Sequence, residues 1–131
     1  MTVLISALRR LYAANRVKDF KVDEYHIGIN KREYSDQILV KVVKVDPTGF
    51  VYVKAARTLD ELDQSPVYKC KVQKDKDKFE RDYVYNKVTG NETEVKKYKQ
   101  KIAFKFDGAT YEADYEVVDI KYLKKYYPEF F

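Results

Sequence analysis

Residues 98–117 read YKQKIAFKFDGATYEADYEV, and this stretch decides the fold. Asp107–Gly108 is a two-residue turn signal, because both residue types tolerate the positive φ that a tight right-twisted hairpin demands. Apolar and polar residues alternate on either side of it, the period of a strand with one buried face. Folding about the turn sets Phe106 opposite Ala109, Phe104 opposite Tyr111 and Ile102 opposite Ala113, and continues to Gln100 with Tyr115 and Tyr98 with Val117. The other face pairs Ala103 with Glu112, Lys101 with Asp114 and Lys99 with Glu116. A slip by one residue scrambles both faces at once. Each exposed pair contributes only ~0.2–1 kcal/mol, so the ladder selects register more than it supplies stability.

A second hairpin is expected over residues 37–56. Asp46-Pro47-Thr48-Gly49 places proline where a type I turn wants its fixed φ and glycine where a bulge wants the left-handed conformation. That register sets Val45 against Val51 and Val43 against Val53. The near-continuous run Ile38, Leu39, Val40, Val42, Val43 predicts a central strand covered on both faces. Further strands are expected within residues 20–29, with a phase break near Glu24–Tyr25, and over residues 67–73 and 83–88. Residues 30–36 read as a loop, as does the alternating Lys-Asp stretch at 74–82.

Helices flank this sheet. Leu4, Ala7, Leu8 and Leu11 form one stripe of an amphipathic helix over residues 3–14, with Thr2 as its N-cap. Residues 58–64 suit one helical turn capped by Thr58. Asp119 suits the cap of a short last helix carrying Ile120, Leu123 and Tyr127 and stopped at Pro128. The expected fold class is therefore α+β, a single domain over residues 1–131. It has a mainly antiparallel sheet of about six to seven strands, an N-terminal helix and a short C-terminal helix. Leu8, Leu11, Val40, Val43, Val53, Ile102, Phe104 and Tyr111 are its expected core.

Composition narrows the function classes. The 131 residues carry 26 Lys plus Arg against 21 Asp plus Glu, a formal net charge of +5. Thirteen Tyr and seven Phe supply ample surface to bury, which argues against wholesale disorder. One Cys excludes an intrachain disulfide and a Cys-based zinc site, and one His excludes a His-rich metal site. No window approaches the ~20 apolar residues of a helical membrane span. Arg9 and Arg10 interrupt the place of a signal-peptide core, so the expected location is the cytoplasm, with no membrane partner.

Catalysis has little to stand on. Cys70 shares a strand face with Tyr68 and Val72, the placement of a core thiol, and His26 has no identifiable partner. The four glycines lie far apart and form no phosphate-cradling loop. Asp119-Ile120-Lys121 has the residue types of a metal-binding acid-x-Lys pair, but such chemistry needs a second carboxylate close by. Asp107 is at a hairpin tip ~40 Å away, twelve strand residues at ~3.3 Å each, and Asp114 falls on the opposite face. The expectation is a non-enzymatic protein without a cofactor or metal.

Binding is the better reading. Residues 69–105 hold 12 basic against 6 acidic side chains, whereas residues 106–119 hold none against 5. Lys69, Lys71, Tyr85, Lys87, Lys96, Lys97, Tyr98, Lys99 and Lys101 interleave cations with aromatics, the mixture that neutralises phosphates and stacks unpaired bases. These residues are the candidate contacts to single-stranded nucleic acid or a nucleoprotein complex. Twenty Lys against six Arg is unlike a dedicated base reader, which favours Arg forks. The alternative is a protein partner, since surplus Tyr suits protein interfaces. A small Lys- and Tyr-rich domain of this kind is what we expect of a phage or mobile-element accessory protein, inhibiting a host complex or serving as an assembly part.

Overall fold

The computed structural model describes residues 17–131. Six antiparallel strands follow one another around a closed barrel: β1 (Tyr25–Asn30), β2 (Gln37–Asp46), β3 (Phe50–Ala56), β4 (Val67–Asn86), β5 (Asn91–Phe106) and β6 (Ala109–Asp114). Each strand pairs with the next, and β1 closes on β6 through Ile29–Glu112 and Asn30–Tyr111. The mainly antiparallel sheet is as expected. The expected N-terminal helix, with Leu8 and Leu11, lies outside the described residues.

The hairpin at 107–108 forms in the expected register from Phe106–Ala109 to Lys101–Asp114. Asp107 and Gly108 both hold positive φ, 50° and 78°, which is why this pair makes the turn. The ladder then stops, and the pairings of Gln100 with Tyr115, Tyr98 with Val117 and Lys99 with Glu116 do not form. The Asp114 carboxylate accepts the Glu116 N–H at 2.9 Å and turns the chain aside, and Val118 bridges to Tyr25 on β1.

The 46–49 turn sets Val45 against Val51, but β2 bulges between Val42 and Lys44. Val42 therefore takes the core position opposite Val53, and Val43 is only partly buried, contrary to its expected place in the core. Ile38, Val40, Val42, Val51, Val53, Cys70, Ile102, Phe104 and Tyr111 fill the barrel. Leu39 points outward beneath two short helices, α1 (Leu59–Leu62) and α2 (Ile120–Tyr126), and the Pro128–Phe130 turn. That second cluster explains the apolar run in β2, buried on both faces. Asp119 caps α2, accepting the Tyr122 N–H at 2.7 Å, whereas the Thr58 side chain makes no cap bond. Among the described residues no helix is long and apolar enough to cross a membrane.

The largest departure is at residues 74–82, which form strand and not loop. β4 runs unbroken from Val67 to Asn86, joining the two strands expected at 67–73 and 83–88. Most of its charged residues are exposed, and the buried Asp75 lies in the irregular stretch between Lys74 and Phe79, so no apolar face reveals the strand. β4 and β5 outrun their other neighbours and project as a two-stranded arm from Lys74–Gln100 to Asn86–Asn91. A bulge between Lys74 and Phe79 marks its root.

Candidate functional site: the barrel wall and the arm

The arm gathers Tyr85, Lys87, Lys96, Lys97, Tyr98 and Lys99, and carboxylates pair with Lys97 and Lys99 there and with Lys101 just below it. Lys97 Nζ lies 2.7 Å from Asp82, Lys99 3.2 Å from Glu80 and Lys101 2.8 Å from Glu112. Lys99 and Lys101 thus pair with partners other than the expected Glu116 and Asp114. The reason is Lys78, which rises from the bulge and takes both carboxylates, at 3.1 Å and 3.2 Å. Its pKa is raised above the ordinary lysine value by those two acceptors. Carboxylate contacts likewise raise Lys97, Lys99 and Lys101. Tyr98 is half-buried against Phe79, ring centroids 5.6 Å apart, and Lys74 Nζ is 4.7 Å from the Tyr98 ring centroid. Lys96 sits 4.8 Å from the Phe79 ring. Tyr85 and Lys87 are exposed near the tip of the arm, away from Lys69 and Lys71. The structure therefore splits the candidate set in two.

Lys69 and Lys71 belong to a different surface. Where β4 pairs with β3, its odd-numbered residues and the even-numbered residues of β3 face outward, so Lys69 stands opposite Tyr52 and Lys71 opposite Phe50. After the bulge in β2, Lys44 stands opposite Tyr52 from the other side. One row across three strands thus reads Lys44, Tyr52, Lys69, and the next reads Asp46, Phe50, Lys71. Lys69 Nζ is 4.0 Å from the Phe50 ring centroid and Lys44 Nζ 5.4 Å from that of Tyr52. No carboxylate lies within ion-pair distance of Lys44, Lys69, Lys71 or Lys105 among the described residues, and residues 1–16 contain no Asp or Glu. The nearest acid on the wall is Asp46, whose carboxyl is lowered first by the Thr48 N–H and only weakly by Lys44 and Lys69. Here cations are free and an aromatic edge, Phe50, is open to solvent.

Two titratable clusters occupy the barrel. Asp36 accepts from the Tyr111 hydroxyl, from Arg57 at 2.9 Å and from Asn30 at 3.0 Å. These donors, Tyr111 first, hold its carboxyl down at about 2. They tie the β1–β2 turn to β3 and β6 across one end of the barrel. His26 is fully buried; its Nδ1–H donates to the Asp114 carbonyl at 3.0 Å, and Nε2 makes no hydrogen bond. Burial lowers its pKa against the opposing pull of that carbonyl and of Glu24. The Cys70 thiol is buried and pushed up to about 12, the state of an inert core side chain.

Sequence reasoning missed Lys44, Phe50 and Tyr52. The signal was present in the 46–49 turn, because setting Val45 against Val51 also sets Lys44 against Tyr52. The chain matches no family model, no curated protein and no solved structure.

Proposed function

We propose that this is a non-enzymatic protein that binds single-stranded nucleic acid against the outer wall of β2, β3 and β4. The observation that carries the reading is the Lys44–Tyr52–Lys69 row with Phe50 and Lys71 beside it, cations without carboxylate partners next to aromatic rings. Adjacent strands stand ~4.8 Å apart, so the row offers positive charge on both sides of a stacking surface. Lysines here neutralise phosphates, and Phe50 offers its ring to an unstacked base. Contacts of this kind discriminate little between sequences.

A second reading, a protein partner, is favoured by the arm. Residues 79–98 carry four basic and four acidic side chains, and Tyr83, Val84, Tyr85 and Val88 are more than half exposed there. A charge-balanced, partly apolar ribbon suits a protein surface better than a phosphate backbone.

The deciding measurement is a low-salt titration of the full chain with a labelled single-stranded oligonucleotide. Binding should weaken as salt rises, and the double variant Lys44→Glu/Lys69→Glu should weaken it and reduce the salt slope by about 1.4, at ~0.7 per lost phosphate contact. Phe50→Ala should cost ~1–3 kcal/mol of affinity through lost stacking. Absence of binding at tens of micromolar protein would remove this reading and leave a protein partner.

A further inference from the structure

The open edge of β5 is self-complementary. In a two-residue hairpin the pair flanking the turn exchanges both backbone hydrogen bonds, here Phe106 and Ala109. Even-numbered residues of β5 therefore direct N–H and C=O toward the β6 side. Gln100 confirms the parity just past the end of β6, because its N–H donates to Asp19 Oδ2 at 3.0 Å on that side. From Tyr98 to Glu92 the same edge has no neighbouring strand among the described residues. The N–H and C=O groups of residues 92, 94, 96 and 98 line it, and such a row is a template for another strand.

Side chains along this edge restrict what can add to it. Consider a second β5 strand laid antiparallel about a two-fold axis. Centred on Thr93, the pairing opposes Glu92 to Glu94; centred on Glu94 or Lys96, it opposes each to itself. Centred on Val95, it sets Val95 against Val95, Glu94 against Lys96 twice, Thr93 against Lys97 and Glu92 against Tyr98. Only this last register avoids like charges, and it matches the hydrogen-bonding parity, since residues 92, 94, 96 and 98 meet one another. It would form about eight backbone hydrogen bonds. It also brings Val95 against its symmetry mate, with Val84 diagonal to Val95 on the same exposed face of each arm.

We propose that a second copy of this chain docks on this edge, the two β5 strands pairing antiparallel about Val95 to make a four-stranded arm. A two-stranded ribbon is marginal in water, and doubling it supplies the neighbours that the arm lacks among the described residues. Glu94 and Lys96 are free to take part: Glu94 holds only an exposed contact to Arg81 at 3.2 Å, and Lys96 rests on the Phe79 ring. Docking is independent of the nucleic-acid wall, which lies on β2, β3 and the barrel part of β4.

Sedimentation equilibrium of the full chain without nucleic acid tests the pairing. The protein should dimerise with concentration. Glu94→Lys and Lys96→Glu, each alone, should weaken the dimer about tenfold by opposing like charges twice. Mixing the two single variants should restore dimers of wild-type strength, because every lysine at these positions then faces a glutamate. Circular dichroism of each variant confirms that the fold is kept. A monomer up to hundreds of micromolar would overturn the proposal and leave the edge to a strand from another protein. A dimer indifferent to both variants and to their mixing would overturn it equally.

Discussion

Lys97 Nζ and Asp82 Oδ2 meet at 2.7 Å across the β4–β5 arm, the shortest of its ion pairs. The contact decides how the arm behaves toward anions. Both side chains are largely exposed, so the pair adds little stability, but it removes the charge that made Lys97 a candidate phosphate ligand.

Reversal of Lys97 and Lys99 to Glu should therefore leave oligonucleotide affinity and its salt slope within a factor of two of wild type. The same reversal at Lys44 and Lys69 should not. Fluorescence anisotropy at two or more salt concentrations compares them directly. A large loss from the arm variant alone would move the site from the wall to the arm.

Stability should fall on acidification in two stages. His26 has a folded pKa below its usual 6.5, so the unfolded chain takes up its proton first and stability declines as pH drops through about 6.5. Asp36 is held at about 2 against an ordinary 3.8, so its contribution is full above 3.8 and is lost as pH falls toward 2. His26→Gln should flatten the profile between pH 7 and 5, and Asp36→Asn should flatten it between 4 and 2. Near neutral pH, Asp36→Asn should cost ~1–3 kcal/mol, because the Tyr111 hydroxyl and Arg57 lose a charged acceptor. Urea midpoints across this pH range give both results.

Gly28 stands opposite Ile38 in the β1–β2 ladder. A Cβ there would stand 2.9 Å from Ile38 Cγ1 and 3.0 Å from Val40 Cγ2, both in the core. Gly28→Ala should therefore destabilise by ~1–3 kcal/mol through overpacking. A gain in the thermal midpoint would mean that Ile38 yields without cost.

Cys70 reports on the same core from within. With no exposure and a thiol pushed up to about 12, it should react with a disulfide reagent only when the barrel opens. Ile102→Ala should cost ~2–5 kcal/mol and speed the labelling of Cys70 accordingly. Rapid labelling of the native wild-type protein would contradict the burial.

Local chemistry made the turns readable. Asp107–Gly108, Asp46-Pro47-Thr48-Gly49 and the Asp119 cap each follow from a few neighbouring residues, and each stands where those residues place it. The barrel was not readable, because pairing of Ile29 with Glu112 leaves no mark in local periodicity. The arm was hidden for the opposite reason: most of its side chains are exposed on both faces, and the Lys-Asp alternation at its bulged root, where Asp75 is buried, resembles a loop. At the candidate site, Lys69 and Lys71 were visible as basic residues beside a tyrosine. Their partners Lys44, Phe50 and Tyr52 come from other strands and emerge only when the register is laid out.

Closure of the barrel also orders its assembly. Every strand from β2 to β6 joins its predecessor through a nearby turn or short connection, so those contacts form between residues close in the chain. The β1–β6 seam is different, since Ile29 and Glu112 are separated by about 80 residues, and the entropy of joining them falls on a single step. A meander that zips locally and seals last should fold with its seam unformed at the barrier. Weakening the seam, by Ile29→Ala for example, should then speed unfolding while leaving the folding rate nearly unchanged in a stopped-flow chevron.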